Sequence, residues 1–296
     1  MGLDGRVVAI TGGTRGIGRA TAAALAKAGA RVAIGGTDVE RAESVAAELG
    51  NDVRGYQVDV TSRPSFAAFL DAVERDLAPL DVLVNNAGIM PVGPFLDETD
   101  ELAARQVDTN LHGTIFGMKE ALPRMLARDR GQIVNVASII GRGGFPHVAT
   151  YCATKHAVIG ITDALRMEHW DSGVEFTCVL PALVNTEMSA GVKPGPGVKI
   201  IEPEDVAAAI VAAIEKPRFK VFVPRVTGPL DKIMEVLPQR LRDGMGRALK
   251  ADRLLASADR ASRTDYEQRI RPSAAPGEER ELAAEEQLDR VDAPRV

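Results

Sequence analysis

Tyr151 and Lys155 stand four residues apart in the run Tyr151-Cys152-Ala153-Thr154-Lys155. On a helix that spacing sets a phenol and an ammonium on one face, one turn apart, where both can meet a common ligand. Ala157, Val158 and Ile161 carry the helical pattern onward. A free phenol, with a pKa of about 10, is too weak a base near neutral pH. A nearby cation favours the phenolate and lowers that value, each unit being worth about 1.4 kcal/mol. The pair could therefore pass a proton to or from a substrate oxygen. The same spacing also suits a tyrosine packed at a helix start beside a solvated lysine, so a second feature has to decide.

That feature lies near the start of the chain. Thr11-Gly12-Gly13-Thr14-Arg15-Gly16-Ile17-Gly18 follows a short apolar run and opens a helix expected over 19–28. Glycines there let backbone amides approach a pyrophosphate, and the helix N-terminus faces its charge. Hydride transfer between an alcohol carbon and a nicotinamide needs a proton to leave or join the oxygen, which is the task Tyr151 could perform. The positive charge of an oxidised nicotinamide would add to the pull of Lys155 on the phenolate. Glycine-rich turns also serve as plain strand-to-helix connectors. The order here is Gly-x-x-x-Gly-x-Gly, not the commoner Gly-x-Gly-x-x-Gly.

Together with Asn85-Asn86-Ala87-Gly88, Asn110 and Ser138, these motifs resemble the short-chain dehydrogenase/reductase family, over roughly residues 5–224. The resemblance implies that Tyr151 is the general acid/base and that Ser138 orients the substrate oxygen. It implies further that Lys155 also holds the nicotinamide ribose and that Asn110 supports a proton-relay water. It places Gly12, Thr14, Arg15, Gly16, Ile17, Gly18, Thr37, Asn86, Ala87 and Gly88 at the cofactor, with Tyr151 and Lys155. Asp59 and Val60 match the family's adenine pocket, and Pro181, Val184 and Thr186 the segment that holds the carboxamide. Ala182 follows Pro181 where the family usually has glycine, which predicts a stiffer backbone at the nicotinamide end. On their own residues, Ser138, Asn85 and Asn86 could be turn formers, and Asn110 a helix-interior polar group with a local partner.

The choice between NAD and NADP turns on the end of the second strand. A carboxylate there accepts from the ribose 2′-hydroxyl and repels a 2′-phosphate. This chain has Gly36 at that place, with Asp38 two residues on, whose simpler role is in the first turn of a helix. Arg15 could pair with a 2′-phosphate as a charged fork, so NADP is favoured.

What must position these groups is legible as alternation. Short aliphatic runs near 7–11, 31–34, 53–58, 82–85, 132–137, 175–180 and 220–223 alternate with Ala-rich amphipathic stretches. The runs are almost continuously apolar, so both sheet faces should be covered. The expected fold class is α/β, a Rossmann-type doubly wound parallel sheet of about seven strands. Thr37, with Glu40 three residues on, suggests a capping box for the next helix, with Gly35 and Gly36 in the preceding turn. The expected divisions are one catalytic domain over 1–225, an amphipathic helical extension over 226–271, and a disordered acidic tail over 272–296.

With 36 Lys and Arg against 41 Asp and Glu, the formal charge is −5, and basic residues form no runs, so nucleic acid is not an expected partner. The tail carries seven acidic and three basic residues, a balance of −4, which leaves about −1 for the rest. Two cysteines, Cys152 and Cys178, argue against a disulfide framework, and no metal site is expected. Neither a signal-like start nor a spanning apolar stretch is present, which predicts a soluble cytoplasmic protein. The loops at 89–94, 140–147 and 183–198 should line the substrate pocket, as in the family. Met90, Ile140, Phe145, Leu183 and Met188 suggest a lipophilic alcohol or ketone, with His147 a surface loop residue. An apolar stripe over 230–249, interrupted by Pro238, carries a slightly basic set of charges. Packing over the substrate loops, contact with a second subunit in a dimer or tetramer, and a weak membrane-surface contact all remain open for it.

Overall fold

The computed structural model describes residues 2–50, 52–192, 194, 199–248, 255, 258–259 and 261–271. The acidic tail over 272–296, together with Leu249 and Lys250 of the apolar stripe, lies outside the described residues. Each aliphatic run becomes a strand because a helix covers it on either side. β1 (Val7–Thr11), α1 (Gly16–Lys27), β2 (Arg31–Gly36), α2 (Val39–Leu49), β3 (Val53–Gln57) and α3 (Arg63–Asp76) form the first half. β4 (Val82–Asn85) leads to α4 (Asp100–Val107), a π-helical turn at Asp108–His112, and α5 (Gly113–Leu126). Then come β5 (Gly131–Val136), α6 (Ala149–Glu168), β6 (Val174–Pro181), α7 (Pro203–Glu215) and β7 (Lys220–Val223). Beyond the sheet lie α8 (Thr227–Val236), α9 (Gln239–Ala248) and α10 (Thr264–Ile270).

The sheet has seven parallel strands in the order β3-β2-β1-β4-β5-β6-β7. Alternate strand residues feed two cores. Val8, Ile10, Val32, Ile34, Val134 and Val179 pack with Leu25 of α1, Val45 of α2 and Ile210 of α7. Val7, Ala9, Ala33, Leu83 and Ile133 pack with Phe66 and Phe69 of α3 and Met118 of α5 on the other face. The strand order reverses at β1 and β4, and such a sheet binds ligands in the crevice at the carboxyl ends of those strands.

Three local readings need correction. β2 runs on through Gly35 and Gly36, which are not turn residues, because β3 offers them partners at Tyr56 and Gln57. A Cβ on Gly35 would lie 2.5 Å from Val58 Cγ1, so the close packing demands glycine there. The cap of α2 is Asp38 and not Thr37: its carboxylate accepts from the Arg41 amide at 3.0 Å. α1 starts at Gly16, three residues before the expected 19, so the glycine-rich turn itself supplies the helix's first unpaired amides.

Pro238 does divide the stripe, between α8 and α9. α8 docks through acid: Arg142, in the turn after β5, pairs with Asp231 at 3.0 Å and Glu235 at 3.1 Å. Its apolar side, with Leu230 and Ile233, is left exposed.

Candidate active site

The glycine-rich turn is stitched to the end of β4. Thr11 Oγ1 accepts from the amides of Asn86 and Ala87, both at 3.1 Å, while Asn86 Nδ2 donates to the carbonyls of Thr11 and Gly12. Side chains would crowd this turn at Gly12, at Gly13, where a Cβ would lie 2.6 Å from Ile34 Cβ, and at Gly18. Gly12 has φ 65° with Ala87 Cα 3.0 Å from where a Cβ would be, and a Cβ on Gly18 would lie 2.2 Å from Gly12 O. Gly16, with φ 46°, lies against Thr186 of the segment after β6. A narrow cradle of exposed amides at a helix N-terminus therefore opens at the sheet's switch point, and it fits a dinucleotide pyrophosphate.

Ser138 follows β5 directly and caps the short turn Ile139–Arg142, accepting from the Ile140 amide at 3.2 Å and donating to Pro181 O at 3.4 Å. Tyr151 lies in the first turn of α6 and is only 6% exposed. Lys155, one turn later, is 5% exposed and donates to Val136 O at 2.9 Å. Its Nζ stands 5.6 Å from the Tyr151 ring centroid, and 3.6 Å from where a Cβ on Gly88 would be. Three strand ends and one helix thus converge on a small volume.

The electrostatics differ from the sequence expectation. Burial pushes the Tyr151 phenol well above its ordinary value, Tyr266 adds to that, and the Ser138 hydroxyl opposes it only in part. Burial also pulls Lys155 down to about 8. Desolvation of both groups outweighs any pull of the lysine on the phenol, so the phenol holds its proton.

Asn110 sits in the π-helical turn, fully buried. Its Oδ1 accepts from the Ile89 amide at 2.8 Å, and its Nδ2 donates to Ile89 O at 2.9 Å and Thr154 Oγ1 at 3.2 Å. Both ends of its side chain are engaged, fastening the loop after β4 to α6. Val60 is buried beside Gly113, and Asp59 accepts from Thr61 in its own turn at the rim. Val184 bridges to Ile201, and Thr186 starts a capped turn with Ser189. Ala182 donates its amide to Val223 O at 2.8 Å, and its backbone is not left-handed, so the missing glycine brings no strain.

Thr37 and Asp38 are exposed at the end of β2. Nearby, a hollow of about 450 Å³ is lined by Thr14, Arg15, Arg19, Arg41, Ser44 and Glu187. Arg15 pairs there with Glu187 at 2.8 Å, and Glu187 is shared with Arg269 of α10.

The five apolar residues expected at the substrate, Met90, Ile140, Phe145, Leu183 and Met188, gather in one cluster with Tyr151, Val148 and Cys152. Beside it a cleft of about 310 Å³ is bounded by Pro91, Phe95, Glu98, His147 and Ile270. His147 is half-buried with φ 68° and belongs to this wall. Sequence reasoning missed Arg263 and Tyr266, which are buried in this region. Their run, Arg263-Thr264-Asp265-Tyr266-Glu267, has no apolar period that could have announced burial.

Residues 6–196 match the short chain dehydrogenase family. The chain is similar to 17-beta-hydroxysteroid dehydrogenase 13 of Mus musculus, 33% identical over 231 residues, with 75% of each chain covered. It is similar also to galactitol 2-dehydrogenase of Agrobacterium fabrum, 38% identical over 188 residues, covering 63% of this chain and 73% of that one. Among solved structures it resembles a short chain dehydrogenase/reductase from Burkholderia phymatum in complex with NAD, with a TM-score of 0.72 and 24% identity. That likeness, over 79% of this chain and 94% of the other, is one of fold.

Proposed function

The chain belongs to the short-chain dehydrogenase family, and on that premise we propose that it reduces hydrophobic ketones to secondary alcohols with NADPH. The observation that carries the reading is the convergence of Tyr151, Lys155 and Ser138 at the carboxyl ends of the central strands, beside the glycine cradle. When bound, the nicotinamide supplies the hydride. Tyr151 gives the proton to the substrate oxygen, and its raised pKa favours the protonated form that reduction requires. Ser138 donates a second hydrogen bond to that oxygen as negative charge builds on it. Lys155 holds the nicotinamide ribose and lends positive charge, while Asn110 keeps the loop after β4 in register with α6. Gly12, Thr14, Gly16, Ile17 and Gly18 hold the pyrophosphate, Arg15 the 2′-phosphate, Asp59 and Val60 the adenine, and Val184 and Thr186 the carboxamide.

Preference for NADPH rests on the end of β2. Asp38 is engaged as the cap of α2, and Gly36 puts no carboxylate at the strand end itself to oppose a 2′-phosphate. Arg15 and Arg41 face the adjoining hollow, and Arg41 has no ion pair among the described residues. Of the relatives, one is named for a hydroxysteroid and another for a polyol; the apolar cluster at Tyr151 favours the lipophilic class. Titration with NADPH and NADH, followed by nicotinamide fluorescence, tests the cofactor: tighter NADPH is expected, and no binding of either would end the reading. Tyr151→Phe should remove ketone reduction and keep NADPH affinity.

A second reading, membrane-surface contact, is favoured by the outward apolar side of α8, where Leu230 is 51% and Ile233 55% exposed beside Lys232. Co-sedimentation with anionic vesicles should fall when both are changed to serine, and unchanged pelleting would refute it.

A further inference from the structure

The family match ends at residue 196, yet the chain returns to the site well beyond it. Leu255 is buried in the cluster that holds Met90, Val148 and Tyr151. Arg263, 1% exposed, donates to Met90 O at 2.8 Å, Met188 O at 2.8 Å and Ala190 O at 3.2 Å, with Glu267 as its counter-ion at 2.8 Å. One guanidinium therefore fastens the loop after β4 and the loop after β6 to the same point. Tyr266, 9% exposed, accepts from the Met90 amide at 2.8 Å and lies with its ring 5.2 Å from the Arg263 guanidinium. Met90 is held at both backbone groups, its amide by Tyr266 and its carbonyl by Arg263.

Fastening accounts for the Tyr266 oxygen but not for its proton. The hydroxyl donates to no acceptor among the described residues, although burial makes an unused donor costly. Burial also keeps that proton in place, with the Tyr266 pKa pushed up to about 12. The phenol oxygen stands at the edge of the reacting region: it holds the amide of Met90, whose side chain packs in the same cluster as Tyr151. The neighbouring cluster is apolar apart from Tyr151 and Cys152, so few other side-chain donors there could meet a polar group of a ligand.

We propose that Tyr266 is a specificity-determining residue that donates its hydroxyl hydrogen to a second oxygen of the substrate, close to the carbon that is reduced. The substrate class is then an apolar ketone bearing a further acceptor oxygen, not a plain hydrocarbon ketone. This rests on the dehydrogenase reading above. Arg263 acts as a positioning residue, setting where α10 presents the phenol.

The test compares 2-decanone with 3-methoxy-2-decanone and 4-methoxy-2-decanone, whose ether oxygen accepts a hydrogen bond and cannot donate one. NADPH consumption gives kcat/KM for the full chain and for Tyr266→Phe. The wild-type protein should prefer at least one ether by about 10- to 100-fold, the range expected for satisfying a buried donor. Tyr266→Phe should erase that preference, chiefly through KM, so that the ethers and 2-decanone are turned over with equal kcat/KM. NADPH affinity of the variant reports whether it has folded. Should it not fold, the wild-type preference, read on the unmodified chain, still decides. Equal selectivity in the two proteins, or no preference in the wild type, overturns the proposal and leaves the dehydrogenase reading standing. Failure of the wild type to bind NADPH overturns both.

Discussion

Changing Lys155 to methionine should stabilise the cofactor-free protein near neutral pH. Lys155 is 5% exposed, hydrogen-bonds the Val136 carbonyl, and has no carboxylate partner among the described residues. Burial lowers it from 10.5 to about 8. Below pH 8 the lysine is protonated in both folded and unfolded chains, and the full cost of burying the charge is present. Between about 8 and 10.5 the unfolded chain binds more protons, so wild-type stability rises with pH. From pH 7 to pH 9.5 the rise is about 2 kcal/mol, out of about 3 kcal/mol for the whole shift. Methionine has no proton to lose, and its aliphatic chain fills most of the same space. It leaves the Val136 carbonyl unpaired, at a cost of about 1–2 kcal/mol. The net gain at pH 7 is then about 1–2 kcal/mol, and it vanishes or reverses at pH 9.5. Urea unfolding of both proteins at the two pH values measures this directly. A stability difference that does not change with pH would refute the reasoning, because the pH dependence comes from the lysine proton alone. Ketone reduction should fall sharply in the same variant, so stability and activity move in opposite directions at this position.

Other substitutions probe the remaining parts of the site. Gly18→Ala would put a Cβ 2.2 Å from Gly12 O, so the turn must shift; the expected result is a loss of about 1–3 kcal/mol in stability and no measurable NADPH binding by fluorescence. Arg15→Ala should weaken NADPH by about 10-fold and leave NADH within twofold, measured in the same titration. Arg263→Met would leave the carbonyls of Met90, Met188 and Ala190 without their donor and Glu267 without its cation. It should cost about 3 kcal/mol in thermal unfolding, while NADPH affinity holds.

Several elements follow from local sequence alone. The strands Val7–Thr11, Val82–Asn85 and Lys220–Val223 begin and end where their aliphatic runs do, because a strand covered on both faces needs apolar residues at every position. Tyr151 and Lys155 share a helix face by spacing, and Pro238 breaks the stripe by chemistry that needs no partner. Other features depended on neighbours far along the chain. β2 continues through Gly35 and Gly36 only because β3 and Phe69 lie against them. Asn110 could be read as a relay or as a local polar residue, and the packing of the loop after β4 against α6 engages its side chain. The sign of the Tyr151 shift was likewise a tertiary matter: spacing predicts the pull of a cation, but burial, which no four-residue motif records, sets a larger opposing cost. Arg263 and Tyr266 show the limit most plainly. Their own stretch reads as charged surface, and they enter the site because the chain folds back so that one guanidinium can meet three carbonyls from two distant loops. Residue type and short-range period determine which chemistry is possible here; desolvation and long-range hydrogen bonding, which exist only in the folded chain, decide its protonation state and what closes over it.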